Sequence, residues 1–73
     1  MKVVIVECDD WQEIYVDGND TGYGNHHLSN DEIKNIVCKD IKLSDIEYQW
    51  IDEEWLEKNG TVFPKDLKDV KIV

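Results

Sequence analysis

The sequence predicts an α+β domain: a small, mainly antiparallel β-sheet, built from an N-terminal hairpin plus a later strand, with one central helix and a short second helix. Three observations predict it. Runs at residues 2–7, 11–17 and 43–51 are rich in β-branched and aromatic residues, and the last two alternate apolar with polar positions. Ser29 and Glu32 have the spacing of a capping box ahead of an apolar helical face. Asp52 precedes a Glu-rich segment that suits the first turns of a second helix. At 73 residues the chain makes a single domain, 1–73. A domain of that size buries only about 60% of its unfolded surface, so its core is thin.

The elements follow in order. Residues 2–7 (Lys-Val-Val-Ile-Val-Glu) read as a buried strand, broken by Asp9-Asp10. Along residues 11–17, Ile14 and Val16 share one face and Trp11, Glu13 and Tyr15 the other, which reads as the outer one. Joined across residues 8–10, the two runs form a hairpin, and Asp17-Gly18 is a second turn signal. Residues 18–27 hold three glycines and read as a loop, with a short edge strand around Thr21–Tyr23. A helix is expected at about 30–39, capped by Ser29, stapled by Leu28 on Ile33, and facing the core with Ile33, Ile36 and Val37. Residues 43–51 form a third main strand, with Ile46, Tyr48 and Trp50 on one face; Trp50 is expected in the core. Asp52 caps a short helix, 53–58, that ends at Asn59-Gly60. The rival is a hairpin turn at Asn59-Gly60, against which Glu53, Glu54 and Glu57 argue. Leu67, Val70 and Ile72 are expected to pack a final irregular stretch onto the core.

Composition excludes more than it assigns. Seventeen Asp and Glu face eight Lys and no Arg, for a formal charge of -9. Such a surface repels nucleic acid and anionic membranes, whose recognition relies on cations neutralising phosphate. Without Arg there is no bidentate fork to clamp phosphate or read guanine. The natural complement is a protein with a basic surface, towards which opposite fields speed association. Solubility alone is the plainer explanation of the charge. The first residues do not resemble a signal peptide, and two cysteines, Cys8 and Cys38, are too few for a disulfide framework. A cytoplasmic, intracellular protein with free thiols is the expectation.

No constellation reaches the standard of a catalytic or metal site. Asp17-Gly18-Asn19-Asp20-Thr21-Gly22 matches the start of a calcium loop, but the twelfth position is Leu28 where a bidentate Glu is needed. His26, His27, Cys8 and Cys38 lack the spacings of a zinc site. Nothing flanking either cysteine lowers a thiol pKa, and the chain is too short to enclose the cleft that a glycosidase pair of carboxyls needs. The expectation is therefore not an enzyme, with no cofactor and no metal.

The segment 45–57 differs in kind. Asp45, Glu47, Asp52, Glu53, Glu54 and Glu57 carry no lysine between them and interleave with Tyr48, Trp50 and Trp55. Acids around aromatics suit docking of a basic partner through an apolar anchor. The candidate partner-binding set is Asp45, Glu47, Asp52, Glu53, Glu54, Trp55 and Glu57, with Trp11 from the outer strand face.

Asp9-Asp10-Trp11, Tyr15-Val16-Asp17-Gly18, Leu28-Ser29, and Glu54-Trp55-Leu56-Glu57 followed by Phe63-Pro64 and Leu67 resemble short acidic proteins of phages and prophages of Gram-positive bacteria. The similarity covers most of the chain in short pieces, none an active site. It implies an intracellular, phage-derived protein of a kind that often binds and inhibits host machinery. The functional expectation is a non-catalytic acidic domain that masks a basic surface of a host protein, with DNA mimicry a special case. The alternatives are a calcium- or zinc-binding domain, or a homo-oligomer that hides Trp11 or Trp55 between copies.

Overall fold

The structure, a computed structural model, describes residues 1–37 and 42–73. Its centre is strand β1 (Val3–Cys8). Val3 and Ile5 point to one side and pack with Ile14, Leu28, Ile33 and Ile46. Val4 and Val6 point to the other and pack with Tyr15, Ile51, Leu56 and Val70. A strand covered on both faces needs a continuous apolar run rather than alternation, which is why Val-Val-Ile-Val stands here. Full burial of each such side chain stabilises by about 1.5–3 kcal/mol.

Asp9 and Asp10 turn the chain into β2 (Trp11–Val16), antiparallel to β1 with Cys8 opposite Trp11 and Val3 opposite Val16. Asp17 and Gly18 both hold positive φ, 50° and 83°, as a two-residue type I′ hairpin requires. They lead into β3 (Asn19–Asn25), seven residues long where the sequence suggested a short edge piece. β3 has few β-forming side chains, and its length comes from pairing with β2 once the Asp-Gly turn has set the register. The pairing is irregular between Glu13 and Tyr15, where β3 bulges around Gly22 at φ 79°.

Helix α1 (Asn30–Val37) begins with the capping box intact. Ser29 Oγ accepts from the Glu32 backbone N–H at 3.2 Å, and Glu32 Oε1 accepts from the Ser29 N–H at 3.3 Å. Hydrogen bonds from the Ser29 backbone N–H, the Ser29 side chain and Asn25 hold the Glu32 carboxyl below its ordinary value. Leu28 and Ile33 are both buried in the first core cluster. The expected helix extends to residue 39, and its last two positions, Cys38 and Lys39, lie outside the described residues.

A 3₁₀ turn at Leu43–Asp45 precedes β4 (Ile46–Trp50), so the expected strand 43–51 starts three residues late. β4 lies parallel to β1, in a sheet of order β3-β2-β1-β4. Helix α2 (Glu53–Lys58) follows: Asp52 accepts from the Trp55 N–H at 3.1 Å, and Lys71 lies 3.6 Å from its carboxylate. Its end is a Schellman motif, with Thr61 N–H donating to Leu56 O and Gly60 N–H to Glu57 O. Gly60 and Thr61 both hold positive φ, so Asn59-Gly60 closes a helix and does not turn a hairpin.

The C-terminal segment straps the second face. Leu67 N–H donates to Gly18 O beside β3, and Val73 N–H donates to Trp50 O beyond β4. Between these anchors Val70 is buried, and Leu67 packs on the same cluster, while Ile72 remains 38% exposed and bridges to Ile51. The strap changes the meaning of β2. The face with Trp11, Glu13 and Tyr15, expected to be outer, is the floor of the second layer, and Tyr15 is fully buried with its hydroxyl donating to Pro64 O at 2.5 Å. A second correction concerns the tryptophans. Trp50, expected in the core, is 43% exposed on the edge strand, and Trp55 packs against the second core cluster.

Candidate functional site: a carboxyl pocket and an acidic edge

The fold divides the acid–aromatic segment among different tasks. Asp52 caps α2, and its bond from the Trp55 N–H, with Lys71 nearby, holds the carboxyl below its ordinary value. Glu53 Oε1 accepts from the Asp9 N–H at 2.9 Å and ties the helix start to the β1–β2 turn. Trp55 is half-buried under the second layer. Asp45, Glu47, Glu54 and Glu57 remain in solvent, with Gln49 Nε2 donating to Glu47 at 2.6 Å. Beside them on β4, Tyr48 and Trp50 are exposed by 47% and 43%. Tyr48 and Trp50 share the sheet face of Val3 and Ile5, whereas Glu47 and α2, with Glu54 and Glu57, lie on the side of Val4 and Val6; the segment's exposed aromatics are thus Tyr48 and Trp50, and Trp55 is packed. Trp11 belongs elsewhere.

Trp11 forms one wall of a pocket of about 500 Å³ on the strapped face, with Cys8, Leu56 and Phe63 around it. At its floor, Glu13 is 8% exposed and accepts from Trp11 Nε1 at 2.9 Å. The Asp20 carboxyl faces Glu13 from β3 and accepts from the Gly22 N–H at 2.9 Å. Burial raises the Glu13 pKa; the Trp11 bond opposes this and Asp20 reinforces it, so that it stands at about 7. Burial, then Asp20 and Glu13, also push the Tyr15 phenol upward. Cys8, at the same wall, has its thiol pKa raised, mainly by burial.

Gly24 makes the floor possible. A Cβ there would collide with Glu13 Oε1, Trp11 Nε1 and the Gln12 carbonyl. Trp11 is further held by an edge-on contact with His26, whose Nδ1 lies 2.8 Å from the Asp10 carbonyl. At the rim, Thr61 holds φ 58°, a strained conformation for a β-branched residue. Sequence inspection singled out Trp11 but missed Glu13 and Asp20. The type I′ turn carried the signal: with Val16 opposite Asn19, Tyr15 faces Asp20, and the period of two then places Glu13 on that same side.

Among the described residues, no group of three or more His, Cys, Asp or Glu side chains could hold a metal ion. The Asp17–Gly22 segment instead serves as turn and bulge, and Asp17 Oδ1 accepts from the Lys2 N–H at 2.8 Å. Among the described residues no helix is long and apolar enough to cross a membrane. No family model, no curated protein and no solved structure matches the chain.

Proposed function

We propose that this chain is a small, non-catalytic binding domain whose acidic edge masks a basic surface of a protein partner. The observation that carries the proposal is the survival of Tyr48 and Trp50 as exposed aromatics on an edge strand, beside Asp45 and Glu47 and ahead of Glu54 and Glu57 on α2. Exposed aromatics on an edge strand that also carries acids supply an apolar anchor and a steering field. Asp52, Glu53 and Trp55 support that edge from within, since each is bonded or packed in the fold. A phage-borne inhibitor of host machinery, with DNA mimicry as a special case, is the biological setting that fits this proposal and the sequence resemblance.

The test is affinity capture with three baits: the native chain, a Tyr48→Ala/Trp50→Ala variant, and a Glu47→Gln/Glu54→Gln/Glu57→Gln variant. A protein retained by the native chain and lost by both variants supports the proposal. Equal retention by all three contradicts it.

A further inference from the structure

We propose that the pocket between β1–β3 and the 59–63 segment binds an organic cation, an ammonium or guanidinium head on a short apolar stem, with Glu13 and Asp20 receiving the head. The volume, about 500 Å³, lies within the usual 300–1,000 Å³ range of small-ligand sites. Its walls are apolar and aromatic: Cys8, Leu56 and Phe63, with Trp11 as the larger face. Trp and Phe faces attract cations, and a stem of a few methylenes suits the aliphatic wall.

The chemistry of the floor selects the charge. A carboxylate offers about four acceptor sites. Glu13 accepts from the Trp11 indole and shares a carboxyl–carboxyl hydrogen bond with Asp20, so the pair is bonded but, among the described residues, carries no neutralising cation. A carboxylate this buried is costly unless it is paired. Among the described residues, no element around the pocket supplies it with a cation. Its own strand presents Trp11 and Tyr15, β3 presents Asp20, β1 and its turn present Cys8 and Asp10, and the 59–63 rim presents Thr61, Val62 and Phe63. No lysine lines the pocket among the described residues. The available responses are to hold a proton, which matches the upward shift of Glu13, or to take a cation from outside. A hard metal ion is the weaker match, because calcium needs six to eight oxygens and only two carboxyls converge at the floor. The net charge of -9 concentrates any cation near the mouth. The pocket lies on the sheet face opposite Tyr48 and Trp50, and none of the residues substituted in the docking test lines it.

The head can arrive on a free amine or as a lysine side chain of a protein, and the two are separable. Pentylammonium, a short lysine peptide and the neutral control pentanol would each be titrated into the native chain while the Trp11 indole N–H is followed by NMR. Expected is saturable movement of that resonance by at least one cation and none by pentanol. Affinity should rise about tenfold between about pH 5.5 and about pH 8, as Glu13 loses its proton. Glu13→Gln should weaken binding at least tenfold and flatten the pH profile, and Asp20→Asn should weaken it in a variant that leaves the Trp11–Glu13 bond in place. Tighter binding of the peptide identifies a protein side chain as the ligand; tighter binding of pentylammonium identifies a free amine. Binding of neither cation, equal binding of pentanol, or undiminished binding by both variants overturns the proposal.

Discussion

The Trp11 indole Nε1 donates to Glu13 Oε1 at 2.9 Å, two residues along β2, and both atoms occupy the space that a Cβ at Gly24 on the neighbouring strand would need. This contact joins a half-buried aromatic, a buried acid and a backbone that must come close. It depends on position 24 having no side chain.

Gly24→Ala is expected to destabilise the domain by about 1–3 kcal/mol, because the new Cβ meets the Gln12 carbonyl at 2.7 Å as well as two side-chain atoms. Urea denaturation would measure the loss. A change in the environment of Trp11 should accompany it, visible as a shift of the indole N–H resonance.

The stability–pH profile should peak on the acid side of neutrality. Glu13 titrates near 7 in the folded state against 4.5 as its ordinary value. Between those pH values the folded chain holds a proton that the unfolded chain has released, so stability falls as pH rises through the window and levels off above it. Glu32 and Asp52 shift downward. Their contribution is present above the ordinary carboxylate range and is lost as pH falls through their folded values. Glu13→Gln should remove the decline between about pH 5 and about pH 7 and stabilise the chain at neutral pH by about 1–3 kcal/mol. Thermal melts of both proteins across pH would check this, and parallel profiles would contradict it.

Much of the fold was legible because local chemistry and tertiary packing agree. Val3–Val6, Ser29 with Glu32, and Asp52 each specify the element that forms. β3 was not legible, since Gly22, Gly24, Asn19 and Asp20 carry no strand preference and the Asp17-Gly18 register alone extends it. Nor was the second core layer, because the strap through Leu67 and Val70 has no period to read. That layer covers the second face as well: it buries Tyr15 and Glu13, which alternation placed outside, and draws Trp55 inward while leaving Trp50 at the sheet edge. Periodicity assigns side chains to faces, and which face is covered depends on distant chain.

The two tryptophans should therefore respond in opposite ways. Trp55→Ala removes packing against the Leu56–Val70 cluster and should cost roughly 1–3 kcal/mol, less than full burial because the ring is half-exposed. Trp50→Ala should change stability by no more than about 0.5 kcal/mol. Chemical denaturation of both variants distinguishes the core aromatic from the available one.

At the start of α2, the acceptor matters more than the charge. Asp52→Asn keeps an oxygen for the Trp55 N–H, whereas Asp52→Ala leaves that donor without its cap. Asp52→Ala should lower Tm by roughly 4–8 °C, and Asp52→Asn by clearly less, since the Lys71 pair is partly solvated. Calorimetric melts of the two variants provide the comparison.

The acidic edge is tested most directly by titrating the captured partner against the native chain at about 50 and about 500 mM NaCl. Calorimetry should show affinity falling at least tenfold across that range, with Trp50→Ala weakening binding at both salts. An affinity unchanged by salt and by Trp50→Ala would contradict an electrostatically steered, aromatic-anchored surface.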